Sequence, residues 1–452
     1  MSLKIVIIGA SFAGISAAIA SRKKYPQAEI SLIDKQATVG YLSGGLSAYF
    51  NHTINELHEA RYITEEELRR QKIQLLLNRE VVAMDVENQL IAWTRKEEQQ
   101  WYSYDKLILA TGASQFSTQI RGSQTEKLLK YKFLSGALAA VPLLENSQTV
   151  AVIGAGPIGM EAIDFLVKMK KTVHVFESLE NLLPKYFDKE MVAEVQKSLE
   201  KQAVIFHFEE TVLGIEETAN GIVLETSEQE ISCDSGIFAL NLHPQLAYLD
   251  KKIQRNLDQT IAVDAYLQTS VPNVFAIGDC ISVMNEPVAE TFYAPLVNNA
   301  VRTGLVVANN LEEKTHRFIG SLRTMGTKVG DYYLASTGLT ETEGLFFPQT
   351  LASIIVRQPA PPLQHGTEIL GKLIYDKVTQ RVLGAQLCSK NNCLEKINTL
   401  ALSIQTGQTL TDLLQKDYFY QPSLTNIYDI TNLMGASAYW RENDEGHHHH
   451  HH

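Results

Sequence analysis

Apolar runs of strand length punctuate the chain, and several stop at a glycine. Lys4-Ile-Val-Ile-Ile8 ends at Gly9, and Ile15 to Ala20 beyond it is an Ala-rich helical stretch. A short apolar run closed by a glycine turn reads as a buried strand, not as a secretory h-region. Thr149-Val-Ala-Val-Ile153 repeats the pattern: it ends at Gly154 and continues as helix from Met160 to Leu166. Each unit is followed by a second strand that ends on an acid, Ala28 to Asp34 and Lys171 to Glu177. Asp105 to Leu109 runs into Ala110-Thr111-Gly112, and Val271 to Ile277 runs into Gly278-Asp279. Pro295-Leu296 opens a helix expected over Asn298–Asn310. Strands alternating with helices predict parallel α/β sheets. Charge clusters at 65–70 and 96–98 read as solvated helix or turn faces.

The two glycine turns carry the candidate chemistry. A βα turn offers backbone N–H groups and a positive helix end to a pyrophosphate. The first turn is Gly9-Ala-Ser11-Phe12-Ala13-Gly14, with serine at the middle glycine position. Asp34 follows at about the spacing of an acid that binds an adenosine ribose. The second, Gly154-Ala-Gly156-Pro-Ile158-Gly159, is a full G-x-G-x-x-G, and Glu177 is its acid. A carboxylate there accepts from both ribose hydroxyls and repels a 2′-phosphate. No arginine follows closely, so NADH is favoured over NADPH. His174, between apolar strand residues, reads as a packed core histidine.

Composition narrows the class. The length of 452 residues suggests about three domains. With 45% hydrophobic and 20% charged residues, the chain looks like an ordinary soluble globular protein. A net charge of −11 argues against nucleic acid and against anionic lipid as partners. No apolar run is long enough to span a bilayer. Cys233, Cys280, Cys388 and Cys393 form no C-x-x-C pair, so no metal site or disulfide framework is written here. His447–His452 reads as an expression tag and a cytoplasmic protein is expected.

The two turns, the Ala-Thr-Gly segment and the late Gly-Asp, in this order, resemble the pyridine nucleotide-disulfide oxidoreductase family of flavoproteins over nearly all of 3–440. The resemblance implies an α/β fold class: two Rossmann-like FAD- and NAD-binding domains plus an α+β C-terminal dimerisation domain. The expected boundaries are 1–114 with 246–322 for a discontinuous FAD domain, 115–245 for NAD(P)H, 323–440 for the interface and 441–452 for a tail. FAD would lie on Gly9, Ser11, Phe12, Ala13, Gly14, Asp34, Lys35, Ser43, Val81, Ala110, Thr111 and Gly112. Gly278 and Asp279 would return to it, Asp279 accepting ribityl hydroxyls at a strand's C-terminal end. Lys132 matches a family arginine near the flavin, and the helix opened by Pro295 and Leu296 would point at the flavin pyrimidine. NAD(P)H would lie on Gly154, Gly156, Ile158, Gly159 and Glu177, with Glu161 near the nicotinamide.

Several stretches are similar to the NADH oxidase, NADH peroxidase and coenzyme A-disulfide reductase branch: 261–270, Met325-Gly326-Thr327, 336–340, Gly384-Ala-Gln386 and Tyr420-Gln-Pro422. That branch normally forms homodimers. It also carries one redox cysteine in a pattern like L-S-C-G-L. Here Leu42-Ser43 and Gly45-Leu46 fix the register, and Gly44 stands at the cysteine position. Phe12 stands where the branch often has histidine. Both polar partners of the sulfur chemistry are absent, which favours a site remade for chemistry without sulfur over the alternative of one eroded site. Hydride can still pass from NADH to flavin. With oxygen as acceptor, peroxide should leave unreduced, because no thiolate is there to be oxidised to a sulfenate. Disulfide, coenzyme A-disulfide and persulfide reduction are disfavoured.

Cys280 and Cys233, the latter in a strand expected over 231–240, read as packing, and Cys388 and Cys393 as buried hydrophobes with a small allowance for reaching a partner's flavin. Tyr420 and Tyr428 also belong to that expected interface. Asn241 to Pro244 replaces the family's exit to the FAD domain, and His243 reads as an ordinary loop residue. The acceptor stays open between oxygen and a small molecule. The rival readings are a reductase serving a small redox protein and a flavin-bound NADH sensor with little turnover.

Overall fold

The computed structural model describes residues 2–113, 119–240, 244 and 246–448. His243 lies outside the described residues. Three five-stranded sheets organise the chain. The first runs Val274–Ala276, Lys106–Leu109, Lys4–Ile8, Glu29–Ile33 and Ile73–Leu76, all parallel. Its edge strand at 274–276 returns from beyond the second sheet. The second runs Val204–Phe208, Thr172–Glu177, Thr149–Ile153, Ser235–Phe238 and Leu128–Leu129, again parallel. Parallel strands need cover on both faces. Ile5, Val6 and Ile7, and Val150, Ala151 and Val152, are accordingly fully buried. Two antiparallel meanders, 80–103 and 212–233, accompany these sheets.

The third sheet is antiparallel: Met325–Val329, Tyr332–Gly338, Val382–Ser389, Ile369–Asp376 and Leu351–Gln358. Helices Lys396–Gln405, Leu410–Leu414 and Ile430–His448 accompany it. In the first unit, helix Phe12–Lys24 packs on helix Val297–Val307. A Cβ on Gly304 would lie 2.7 Å from the Ala13 carbonyl, so glycine permits the approach. The Ser16 hydroxyl then donates to the Val301 carbonyl at 2.8 Å.

Three local expectations change. The apolar stretch 231–240 is two strands, not one. Asp234 breaks it by accepting the N–H groups of Gln148 and Thr149 at 2.7 and 3.0 Å. Glu230–Cys233 stays in the meander and Ser235–Phe238 joins the parallel sheet. His174 is half-buried instead of core. Its ring stacks on His207 of the next strand, Nδ1 to Nε2 at 3.0 Å. Burial, then the neighbouring histidine, lowers its pKa. The helix after Leu296 is α-helical only over Val297–Val307, and Ala308–Asn310 tightens to a 3₁₀ turn. There the Asn310 side-chain Oδ1 accepts from the Thr315 and His316 N–H groups.

Candidate active site

A cavity of about 490 Å³ opens where the C-terminal ends of the two parallel sheets face each other. Its two ends are built alike. At the first, Gly9 turns the chain with φ +108°, and a Cβ there would sit 2.0 Å from the Ala110 carbonyl. Asp34 pins the turn, Oδ2 accepting from Ala10 N–H and Oδ1 from Gln36 N–H, both at 2.7 Å. Burial raises the Asp34 pKa, opposed by those two bonds and by Lys35 and Lys132. Helix Phe12–Lys24 starts at Ser11 with no side-chain cap and no acid in its first turn. At the other end, Glu177 accepts from Ala155 N–H at 3.1 Å and Leu179 N–H at 2.8 Å. Helix Pro157–Lys168 starts at Gly156, also without a side-chain cap. A Cβ on Gly156 would meet nothing within 4 Å, so that backbone is bare to the cavity. Two uncapped helix ends, each with a pinned acid, fit two dinucleotides.

Between the ends the cavity wall turns chemical. The Asp279 carboxyl lines it, its pKa raised by burial and opposed by Lys132. Lys132 Nζ donates to the Ala113 carbonyl at 3.0 Å. Pro295 and Leu296 line the wall at the start of helix Val297–Val307, which also has no side-chain cap. Phe12 stacks on Tyr62, centroids 5.3 Å apart and planes within 14°. Ser43 lines the cavity beside Gly44. Gly44 has φ −82° and ψ 9°, a conformation open to any residue. A Cβ on it would meet only Glu161 Oε1, at 3.2 Å. Burial, then Asp164, pushes the Glu161 pKa up to about 7.

The other expected residues divide in two. Ala13, Ala110, Gly112 and Ile158 line the cavity. Gly14, Gly159, Gly278 and Thr111 shape it from behind. A Cβ on Gly14 would fall 1.7 Å from the Gly9 carbonyl, and one on Gly159 would fall 2.0 Å from the Gly154 carbonyl. Gly278 N–H donates to Thr303 Oγ1 at 3.0 Å, and Thr111 Oγ1 bonds the Tyr248 hydroxyl at 2.9 Å. Lys35 lies off the cavity wall, and its charge lowers the Asp34 pKa. Val81 pairs with Trp93 in the meander, off the cavity wall.

All four cysteines are buried and none lines the cavity. Burial pushes the Cys233 and Cys388 thiols up to about 12 and Cys393 to about 11. Cys280 packs against Thr111 at 3.3 Å. Tyr420 and Tyr428 are exposed and do not reach the cavity. Sequence reasoning missed Tyr41, Tyr62, Tyr131, Lys185 and Arg323, all on the wall. Tyr41 and Tyr131 adjoin motif residues and were within reach. Tyr62 has no motif beside it. Asp188, Glu190 and Glu341 cluster within ligand distance of one another, but Lys372 Nζ ion-pairs with all three. No helix among the described residues is long and apolar enough to cross a membrane.

Comparison with known proteins agrees with this geometry. The family model described as pyridine nucleotide-disulphide oxidoreductase matches residues 3–304, and that of the family's dimerisation domain matches 324–429. An NADH oxidase of Enterococcus faecalis is 30% identical over 444 residues, covering 96% of this chain and 99% of the relative. A crystal structure of a pyridine nucleotide-disulfide family oxidoreductase from Enterococcus faecalis is 95% identical, with TM-score 0.90, covering 98% of this chain and all of that one. The water-forming NADH oxidase of Lactobacillus brevis bound to NADH is 26% identical, with TM-score 0.94 over 98% and 100% of the two chains. The chain belongs to the pyridine nucleotide-disulphide oxidoreductase family, and its activity class is NAD(P)H-dependent flavoprotein oxidoreductase.

Proposed function

We propose that this family member is an FAD-containing, NADH-dependent oxidoreductase that reduces oxygen to hydrogen peroxide, or a small acceptor, without a redox thiol. The observation that carries the reading is Gly44: this residue, which the resemblance puts at the family's cysteine position, faces the Glu161 carboxyl with no side chain, and none of the four cysteines lines the cavity. A water-forming relative therefore does not define the product here.

FAD would be held by the Gly9 turn, Asp34, Lys132, Asp279 and the helix behind Leu296, and it would supply two-electron redox chemistry. Everything else falls to the chain. The uncapped start of helix Phe12–Lys24 would take one pyrophosphate, and the start of Pro157–Lys168 the other. Asp34 and Glu177, fixed by backbone N–H groups, would each accept ribose hydroxyls. Glu177 is also the basis for NADH over NADPH. The stacked Phe12 and Tyr62 would shield the reacting face from water. The domain division would be 1–114 with 246–322 for FAD, 115–245 for NAD(H) and 323–440 for dimerisation, a reading supported by one five-stranded sheet in each. A homodimer is proposed on the dimerisation-domain match. Four free buried cysteines fit the reducing cytoplasm.

Anaerobic NADH titration of the flavin-replete protein tests this. One NADH per flavin should bleach the visible absorbance, and air should restore it with stoichiometric peroxide. Two NADH per flavin would reveal a second redox centre, and binding without bleaching would favour the sensor reading.

A further inference from the structure

We propose that Glu161, with the hydroxyls of Tyr41 and Tyr131 beside it, is the general acid that gives the reduced acceptor its second proton, in the space a side chain at position 44 would occupy. The proposal rests on the NADH:acceptor reading above and assigns a proton which that reading leaves unplaced.

The geometry has three parts. First, the room beside Gly44 opens onto one group, the Glu161 carboxyl at 3.2 Å from a built Cβ. Second, among the described residues that carboxyl takes part in no hydrogen bond and no ion pair. Third, the Tyr41 and Tyr131 hydroxyls lie in the same wall, buried and without a partner among the described residues, and Tyr131 is only 6% exposed. Both phenols feel the Glu161 charge, after the larger effect of burial. Buried polar groups are normally satisfied. Two unsatisfied buried hydroxyls and an unpaired carboxyl around a single opening point to a ligand atom that bonds there.

The proton is needed on chemical grounds. NADH supplies a hydride, which is two electrons and one proton. Oxygen becomes hydrogen peroxide on gaining two electrons and two protons. The second O–H bond forms as the Glu161 O–H bond breaks, and bulk water reprotonates the carboxylate. A glutamate is fit for this when its pKa lies near the working pH, as burial and Asp164 arrange. The other ionisable groups near helix Pro157–Lys168 are engaged elsewhere. Asp164 is held by Lys168 at 3.0 Å and Gly330 N–H at 2.8 Å. Strand 172–177 brings His174, paired with His207, and Glu177, bonded to backbone. Strand 325–329 brings Lys328, over the Tyr333 ring. Helix Gly45–Phe50 brings Tyr49, its ring edge-on to Phe50, and strands 149–153 and 235–238 bring none.

The test separates the two half-reactions of the holoenzyme by stopped flow, for wild type, Glu161→Gln and Asp164→Asn. Anaerobic bleaching by NADH reports the first half, and recolouring in aerated buffer the second. Glu161→Gln should slow recolouring about 10²-fold more than it slows bleaching. Wild-type recolouring should fall above a pH near 7 and carry a solvent deuterium effect, and both should vanish in Glu161→Gln. Asp164→Asn removes the like charge, so the break should move to lower pH. Difference infrared spectroscopy should show a protonated carboxyl band at pH 6, absent in Glu161→Gln. Equal losses in both halves, or no such band, overturn the proposal alone. Wild-type protein that binds NADH without bleaching overturns the parent reading, and the proposal with it.

Discussion

At the scale of single residues, the cavity wall trades stability for chemistry. Glu161 has its pKa pushed up to about 7 from an ordinary 4.5. The folded state therefore holds a proton that the unfolded chain releases between those pH values. Stability is greatest below the ordinary value and falls as pH rises towards 7. The loss is about 3 kcal/mol at most, at 1.36 kcal/mol per unit. Glu161→Gln should accordingly stabilise the apoprotein at pH 8 and leave it little changed at pH 4.5. Urea unfolding at both pH values checks this, and an equal gain at both would contradict it. Gly44 makes the complementary prediction. Its backbone accepts any residue, and only a carboxylate end must give way. Gly44→Cys should fold and install an oxidisable thiol. After brief peroxide treatment it should consume two NADH per flavin, against one for the parent, because a sulfenate takes two electrons.

At the scale of elements, the two βα turns look alike in sequence but tolerate change differently. Both Gly9 and Gly154 have φ above +100°, where an alanine is strained by about 1–3 kcal/mol. At Gly9 the added Cβ would also strike the Ala110 backbone at 2.0 Å, which cannot move without parting two strands. At Gly154 the nearest atom is the Leu240 Cδ2 at 2.7 Å, on a side chain that can turn, and the backbone approaches less closely, the Ala239 carbonyl at 3.0 Å. Gly9→Ala should lose flavin, seen as loss of visible absorbance in the purified protein. Gly154→Ala should keep its flavin and weaken NADH binding by about 10–100-fold, if the whole strain falls on the bound turn. These turns were legible because strand, glycine and acid lie within one local stretch. What could not be read was set by distant partners. Asp234 splits a strand through Gln148 and Thr149, and His174 meets His207 only across a sheet. Tyr62 reaches Phe12 from a segment with no motif. Val81, placed by resemblance alone, lies off the cavity.

At the scale of the molecule, the third sheet must be held against the second unit for the cavity to keep its wall, since Arg323 and Tyr186 line it from either side of that join. One buried cation fastens the join. Lys372, in strand Ile369–Asp376, is 0% exposed and ion-pairs with Asp188 at 3.1 Å, with Glu190, and with Glu341 at 2.5 Å. Asp188 also accepts from Glu341 N–H at 2.9 Å and the Gln386 amide at 2.8 Å. Burial alone would raise the Asp188 pKa, but these bonds and Lys372 together hold it below the ordinary value. Its contribution is therefore present near neutrality and lost as pH falls through its lowered pKa. Lys372→Met removes the cation and leaves a buried carboxylate facing two others. Breaking such a pair from one side costs about 3–5 kcal/mol. Lys372→Met with Asp188→Asn should recover part of that, because the orphaned buried charge goes with it. The lesion lies between the second and third sheets, so the first sheet should outlast it. Urea unfolding followed by flavin absorbance and by sedimentation should then separate into two transitions in Lys372→Met, with the proposed dimer lost before the flavin. A single coincident transition, displaced by under about 1 kcal/mol, would show that the three carboxylates hold the third sheet without the lysine.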